Sequence, residues 1–521
     1  MQSKLIWLSK QSGMPGVKVL EAKKSYKEIV RSSSIIGGSQ VFIFVVALIR
    51  TKIVALLLGP SGIGLVGIYS SAMTVIGAAT GFGISSSAVR EVAHAYKNED
   101  GEQVARTVTI LQRACWVTGI FGWLIAVLIA KPVSQWMMGT PEYGWALAVL
   151  GVTLLIGAIN SGQLALLQGS RRIGDIARAN MLSAAISTFV AVGLYAWLAE
   201  GGIVPVIIAS GAVSLASSYW FARKVKTIPL AVSWVETVAG TRRMARLGIA
   251  FMWSALLTSG LEVLTRAIVS RELGLDAVGI YQAAWTLSGL FAGFILGAMG
   301  ADFYPRLASV AADSVAARRL VNEQTEIGIL LALPGLLGTL AFAPVLIEVI
   351  FSSRFVAAAD LLPWMVLGVF CRVVGWPMGY VQVAKGASRL YIATETFFAA
   401  ATAVLLFVFI ASYGVVGAAY AFALAYVLYV LGMLWVARVL IDFGWSSDVI
   451  RLLCITGFLV GLGILISIHA PSLVLRLVAG GAITVVGTLY SARGLVRRLG
   501  TTSRLVSLAS WLPGGRWLLG L

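Results

Sequence analysis

IIGGSQVFIFVVALIRTKIVALL, residues 35–57, runs for 23 residues with two charges, Arg50 and Lys52. A helix needs about 20 mostly apolar residues to cross the hydrocarbon of a bilayer. Thirteen further stretches of similar character follow, near 64–88, 109–130, 145–168, 178–198, 203–222, 247–270, 277–303, 327–350, 361–384, 390–411, 414–437, 449–468 and 472–491. Across all 521 residues, 59% are hydrophobic and 12% charged, about half the charged share of a soluble domain. Lipid must therefore be the solvent, and in lipid only helices and closed barrels satisfy the backbone. A barrel would show short alternating strands. The expected fold is an all-α polytopic membrane protein with about 14 transmembrane helices.

The rest of the composition fits. The 56 glycines suit close helix packing in a membrane. Cys115, Cys371 and Cys454 all lie within apolar runs, so they define neither a disulfide framework nor a CxxC site. His94 and His469 are far apart, and no metal site is expected. The formal net charge of +18 reads as loop cations on one membrane face rather than a nucleic-acid surface. Residues before the first apolar run include six lysines, and that run is of full span length, so a cytoplasmic arm is expected there rather than a signal peptide.

The cations set an orientation. With the N-terminus inside, the inside segments carry 31 Lys and Arg, and the outside loops only Lys131, Arg271, Arg354 and Arg476. Five more lie within spans: Arg50, Lys52, Arg113, Arg266 and Arg372. One missed helix would invert every later loop and spoil this bias, so both termini are expected in the cytoplasm.

The text also repeats. Leu58-Gly59 and Gly64 recur as Leu273-Gly274 and Gly279, at an offset of 215 residues. Pro132-Val133 recurs as Pro344-Val345, and Gln168-Gly169-Ser170-Arg171-Arg172 as Lys385-Gly386-Ala387-Ser388-Arg389. One offset spans six helices, an even number, so the copies are parallel repeats related by a pseudo-twofold along the membrane normal. The expected organisation is an N-terminal arm over 1–34 and an N-lobe over 35–222. A cytoplasmic linker follows over 223–246, then a C-lobe over 247–437, two helices outside the repeat over 438–491, and an amphipathic tail over 492–521.

Ionisable groups within spans cost roughly 2.5–3.5 kcal/mol on insertion scales and are functional candidates by default. Arg50 and Arg266 fall within one position of equivalence in the two copies and could face one cavity from both sides. Arg372 has no acidic neighbour on its own segment and joins them as an anion contact. Lys52 either contacts substrate or snorkels to the interface. Glu262 is four residues from Arg266, so the two either neutralise each other or both face substrate. Glu262 and Glu395 are the acids placed deepest, and so the candidates for ion coupling. Arg113 is expected to snorkel, and Trp136, Trp145, Trp197, Trp364 and Trp445 to anchor at interfaces. Pro334, Pro344, Pro363 and Pro377 are expected to interrupt their helices. No catalytic residues or cofactor are expected: there is no GxxxxGK[ST], no HExxH, and no outside loop large enough for a catalytic domain.

Two stretches carry a family resemblance. Thr51-Lys52-Ile53-Val54-Ala55 followed by Gly59-Pro60-Ser61-Gly62-Ile63-Gly64-Leu65 resembles the first-helix end of bacterial O-antigen and enterobacterial-common-antigen translocases. Arg266 through Val278-Gly279-Ile280-Tyr281-Gln282, and Ala384-Lys385-Gly386-Ala387-Ser388-Arg389-Leu390-Tyr391, resemble later segments of the same proteins. These form the polysaccharide transporter branch of the multidrug/oligosaccharidyl-lipid/polysaccharide exporter superfamily. The resemblance implies two six-helix lobes around a cationic cavity. It also implies a non-enzymatic flippase of the bacterial inner membrane, moving an undecaprenyl-diphosphate-linked glycan to the periplasmic leaflet by alternating access. Lys52 and Arg266 match basic positions of the pattern and would meet the diphosphate or acidic sugars. Membrane lipid and polysaccharide polymerase machinery are the further partners implied. Two alternatives compete. A cation-coupled multidrug exporter would favour a carboxylate where the first segment has Arg50 and Lys52. A membrane glycan polymerase or glycosyltransferase would need a large catalytic loop outside.

Overall fold

A computed structural model describes residues 15–97, 101–225, 228 and 230–499. Among these there is no strand. The helices are α1 (Pro15–Thr80), α2 (Ile84–Lys97), α3 (Gly101–Met138), α4 (Gly144–Leu150), α5 (Val152–Gly169), α6 (Ile173–Leu198), α7 (Ile203–Ala222), α8 (Trp234–Leu273), α9 (Leu275–Ser309), α10 (Ser314–Ile350), α11 (Leu362–Ala384), α12 (Ser388–Ile441), α13 (Ser447–His469) and α14 (Leu473–Leu499). Apart from short breaks at 81–83 and at Gly151 and the first residues Leu361, Gly414 and Ser472, every predicted apolar segment lies on helical backbone. Nine helical stretches among the described residues are long and apolar enough to cross a membrane. Three of them, at 43, 50 and 54 residues, have room for two crossings each. The segments 247–270 and 277–303 are helical too, within α8 and α9. The tail predicted over 492–521 lies outside the described residues beyond Leu499.

The long helices turn at single residues, and those residues reveal the repeat. α1 turns at Gly59 (φ 67°, ψ −168°), and Gly274 (φ 84°, ψ 175°) separates α8 from α9. This region of backbone space is nearly exclusive to glycine. The same offset of 215 joins Ala199 (φ 47°, ψ −127°) to Gly414 (φ 61°, ψ −143°), the turn inside α12. It joins Arg171 (φ 56°) to Gly386 (φ 69°) as well. The textual match of Gly169 to Gly386 is therefore out of register by two. The conformation aligns the copies at 215, and glycine fills the strained place only in the second copy. The copies also differ: the first breaks at Phe82 (φ 48°) and Gly83 (φ 63°), where α9 of the second runs on unbroken.

The chain packs as two compact units. One comprises the described residues up to Arg50 and those within Thr80–Ile125 and Leu150–Ile249. Its core holds Ile84, Val92, Leu111, Leu167, Phe221 and Met244. Gly83 and Gly248 meet backbone to backbone there: a Cβ on either would strike the other chain segment. Arg113 reaches into the segment between the copies: it donates to the Val232 carbonyl (2.8 Å) and the Thr237 hydroxyl (3.0 Å), lies 4.9 Å from the Trp234 ring, and so fastens that segment to α3.

The other unit comprises Thr51–Ala79, Ala126–Val149 and the described residues from Ala250 onward. Here the repeat is visible as contact. A Cβ on Gly64 would fall on the Leu275 carbonyl, and one on Gly279 would fall on the Pro60 carbonyl. Residues 60 and 275, and 64 and 279, are equivalents, so the two contacts are one contact seen from each copy. α14 lies antiparallel on α10, with Gly480, Gly487 and Gly494, one every seven residues, against Ala341, Leu337 and Leu330. Arg476 ties α14 to α13 and α10 through the Ser467 hydroxyl (2.5 Å) and the Leu340 carbonyl (3.3 Å). Pro334, Pro344 and Pro377 sit inside α10 and α11 without interrupting them, and Pro363 lies at the start of α11. A membrane helix can re-satisfy the groups a proline frees. Trp136, Trp145 and Trp197 are exposed as anchors would be, whereas Trp364 packs on Tyr420 (4.8 Å) and Trp445 against the core around Leu452.

Candidate functional site

The second unit contains a cavity of about 720 Å³, within the range of ligand sites. Helices α8, α9, α11 and α12 supply most of its wall. Three of the predicted site residues line it: Glu262 from α8, Arg372 from α11 and Glu395 from α12. All three are half-buried. Among the described residues Arg372 forms no ion pair; its guanidinium carbon sits 5.9 Å from the centre of the Tyr426 ring. A cation over an aromatic face keeps its N–H donors free around the rim.

Aromatic rings contribute a large share of the remaining wall. Phe398 meets Tyr426 at 5.5 Å and Tyr429 at 4.8 Å, and Phe422 meets Tyr426 at 4.8 Å and Trp285 at 5.3 Å. Trp376 and Tyr380 form a second group at 4.7 Å. These edge-on pairs hold each ring where its neighbour fixes it. Reading the sequence for charge overlooked them. The signal was present as Trp376 and Tyr380 on one segment and Tyr426 and Tyr429 on another, each pair spaced for one helix face. Polar groups interrupt the rings: Thr265 and Thr402 line the cavity, and the Tyr391 hydroxyl donates to Ser254 Oγ at 3.0 Å.

Arg266 is placed differently from Arg372. It is 4% exposed and does not line the cavity. Its Nε and Nη2 donate to Gln282 Oε1 (3.1 and 2.9 Å), and its Nη1 to the Glu262 carbonyl (3.0 Å) and Glu262 Oε2 (3.3 Å). Gln282 Nε2 in turn donates to Thr286 (3.2 Å). Gly67, the equivalent of Gln282 in the first copy, leaves the room that the Gln282 side chain and Arg266 occupy. The pairing of Glu262 with Arg266 is thus made, and it aims the carboxylate at the cavity while the guanidinium stays behind it. Lys52, in the same unit, donates to the Glu348 carbonyl at 2.6 Å. Arg50 belongs to the first unit, half-buried, with Nη2 3.5 Å from the Ser210 hydroxyl of α7.

Comparison with known proteins agrees with this architecture. The chain is 24% identical over 396 residues to the lipid III flippase of Escherichia coli (strain K12), covering 73% of this chain and 90% of that protein. It is 23% identical over 392 residues to a putative O-antigen transporter of Shigella flexneri, with the same coverage. Its fold matches the lipid II flippase MurJ in an inward closed conformation, with a TM-score of 0.64 at 13% identity, over 89% of this chain and 99% of that one. It also matches an inward-facing multidrug resistance MATE family transporter of the MOP superfamily, with a TM-score of 0.63 at 16% identity, over 77% and 94%. The polysaccharide biosynthesis protein family matches residues 53–360, more than half of the chain and reaching from the first repeat into the second. The chain is a multi-span membrane transporter and belongs to the polysaccharide biosynthesis protein family.

Proposed function

We propose that the protein is a flippase that carries a polyprenyl-diphosphate-linked oligosaccharide across a bacterial inner membrane, from the cytoplasmic to the periplasmic leaflet. The observation that carries this reading is Arg372. It is a cation with open donors, set among aromatic faces in a cavity large enough for several sugar rings. A guanidinium presents a planar fork to phosphate or carboxylate oxygens, and aromatic faces pack on the apolar faces of sugars. The relatives named as a lipid III flippase and a putative O-antigen transporter support the same substrate class. Arg50 and Lys52 serve as further anion contacts in this reading. Arg266 acts through Glu262, and Glu262 and Glu395 are the groups that would bind a coupling ion. Both termini are cytoplasmic, so reporter fusions at Gly139 and Ser412 read outside and one at Lys226 reads inside. The undecaprenyl carrier and an O-antigen, capsule or exopolysaccharide repeat unit are the specific cargo proposed. The decisive experiment is export of a lipid-linked oligosaccharide by the parent chain in a strain lacking its own translocase. Absence of export from a chain that inserts and accumulates, tested across these glycan classes, removes the reading.

A further inference from the structure

The Gly414 turn divides α12 into two arms. Close to the turn the arms touch, and a Cβ on Gly417 would fall on the Phe409 carbonyl. Farther along they part and leave an apolar groove of about 470 Å³. Small residues make the space: Ala393 and Ala401 on one arm, Ala425 and Gly432 on the other. A Cβ at Gly432 would meet nothing within 4 Å. Phe397 (77% exposed) and Trp435 (64% exposed) line it as large exposed side chains. Its polar members are occupied or turned away. The Thr394 hydroxyl is within 3.0 Å of Gln382 Oε1, and the Tyr429 hydroxyl reaches the other side of the wall, at Gly379.

That wall is the informative feature. Phe398, Ala425 and Tyr429 line both the groove and the cavity that holds Arg372. The Phe398 and Tyr429 rings meet edge-on at 4.8 Å. Gly379, a cavity residue, leaves the place that the Tyr429 hydroxyl fills; a Cβ there would lie 2.7 Å from it. Two aromatic side chains and one alanine thus stand between a polar site and an apolar opening. An apolar groove with large exposed side chains on a spanning helix suits hydrocarbon rather than water. A lipid-linked substrate has its head and its chain joined covalently. With its head in the cavity, its chain needs an apolar exit beside that cavity.

We infer that the groove between the arms of α12 holds the aliphatic chain of the lipid carrier while the head occupies the cavity, with Phe398 and Tyr429 as the partition. This rests on the flippase reading above. The test uses the full chain in liposomes of phosphatidylethanolamine and phosphatidylglycerol, with p-benzoylphenylalanine replacing Phe397, photolysed in the presence of undecaprenyl phosphate. The expected product is an isoprenoid adduct enriched over the bulk share of isoprenoid, and Gly432→Leu abolishes it. Phe458 on α13, 69% exposed, is the control position. Phospholipid adducts alone, or isoprenoid adducts no richer at 397 than at 458, overturn the inference. In cells, Gly432→Leu loses export and Gly457→Leu, an equally open glycine on α13, retains it. Retained export by Gly432→Leu also overturns it. Export by the parent with phospholipid adducts alone removes the groove and leaves the transport reading. Isoprenoid adducts at 397 without any export remove the transport reading and leave the groove.

Discussion

At an offset of 215 the two copies of the repeat share three turns, 59 with 274, 171 with 386 and 199 with 414, and differ in almost everything that lines the cavity. The second copy places Arg372, Trp376 and Tyr380 on α11, where the first has Gly157, Ser161 and Ala165 on α5. It places Phe398, Tyr426 and Tyr429 on α12, where the first has Ser183, Gly211 and Ser214 on α6 and α7. Helix ends agree through this stretch: Gly169 with Ala384, Ile173 with Ser388 and Leu198 with Tyr413. A duplicated scaffold has therefore kept its backbone and given the large side chains to one copy. Backbone turns are held by steric rules that both copies obey, while a site needs its chemistry once.

The comparison is sharpest at Arg372. Reducing it to a residue nearly as small as the Gly157 of the first copy, as Arg372→Ala, is expected to lower export about tenfold or more, the worth of one charge-assisted hydrogen bond. Lysine there restores part of the loss, because it carries the charge without the planar fork. Export assays with matched protein levels decide it. Normal export from Arg372→Ala would mean that the chemistry of the second copy is not what the cavity uses.

The Arg266 corner gives a smaller effect of a different kind. Arg266→Ala leaves Glu262 facing the cavity unpaired and Gln282 without its donor. A stability loss of about 2 kcal/mol is expected, below the cost of breaking a fully buried pair because Glu262 is about one-third exposed. The Glu262→Gln, Arg266→Gln double variant is expected to recover most of it, read as the thermal midpoint in detergent. If Arg266 met substrate directly, the double variant would recover stability but not export.

Gln282→Ala is milder. It removes the acceptor of two Arg266 donors while the Glu262 pair remains, and a loss of about 1 kcal/mol is expected. Gly67→Ala asks for a Cβ 3.0 Å from Gln282 Oε1, so the two together test whether the first copy stays small in order to seat the second.

Ala199 offers the smallest test, and its sign is reversed. It adopts backbone that Gly414 adopts in the other copy, at a cost of about 1 kcal/mol for a residue with a Cβ. Ala199→Gly is expected to stabilise the chain by a similar amount and leave export unchanged. Destabilisation would show that the Ala199 methyl makes contacts that offset the strain.

These features differ in how far they can be read from the text. Span-length apolar runs such as 35–57 map directly onto helix, because lipid leaves the backbone no other choice. The repeat was legible at Gly59 and Gly274, where both copies need glycine. It was misplaced by two near Gly386, because Arg171 takes the same positive φ without being glycine. Charges were found because each is rare in a span, and Glu262 was legible as a partner of Arg266 at a spacing of four; Gln282 was not, because it is sixteen residues from Arg266 and nothing in its local pattern points back. The partners of Arg113 were hidden for the same reason, since Val232 and Thr237 lie more than a hundred residues away. The aromatic wall stayed hidden because aromatic residues are ordinary in membrane helices, and only packing separates a cavity face from a lipid face.

The contact of Gly64 with Leu275, and of Gly279 with Pro60, also sets an order of assembly. The first turn leaves the ribosome 215 residues before its counterpart, about 10–40 s at ordinary synthesis rates. During that interval the residues that meet the Pro60 carbonyl and the bare flank of Gly64 have not yet been made. The first copy must wait in the membrane, inserted but unfinished at this seam, until the second arrives to close it.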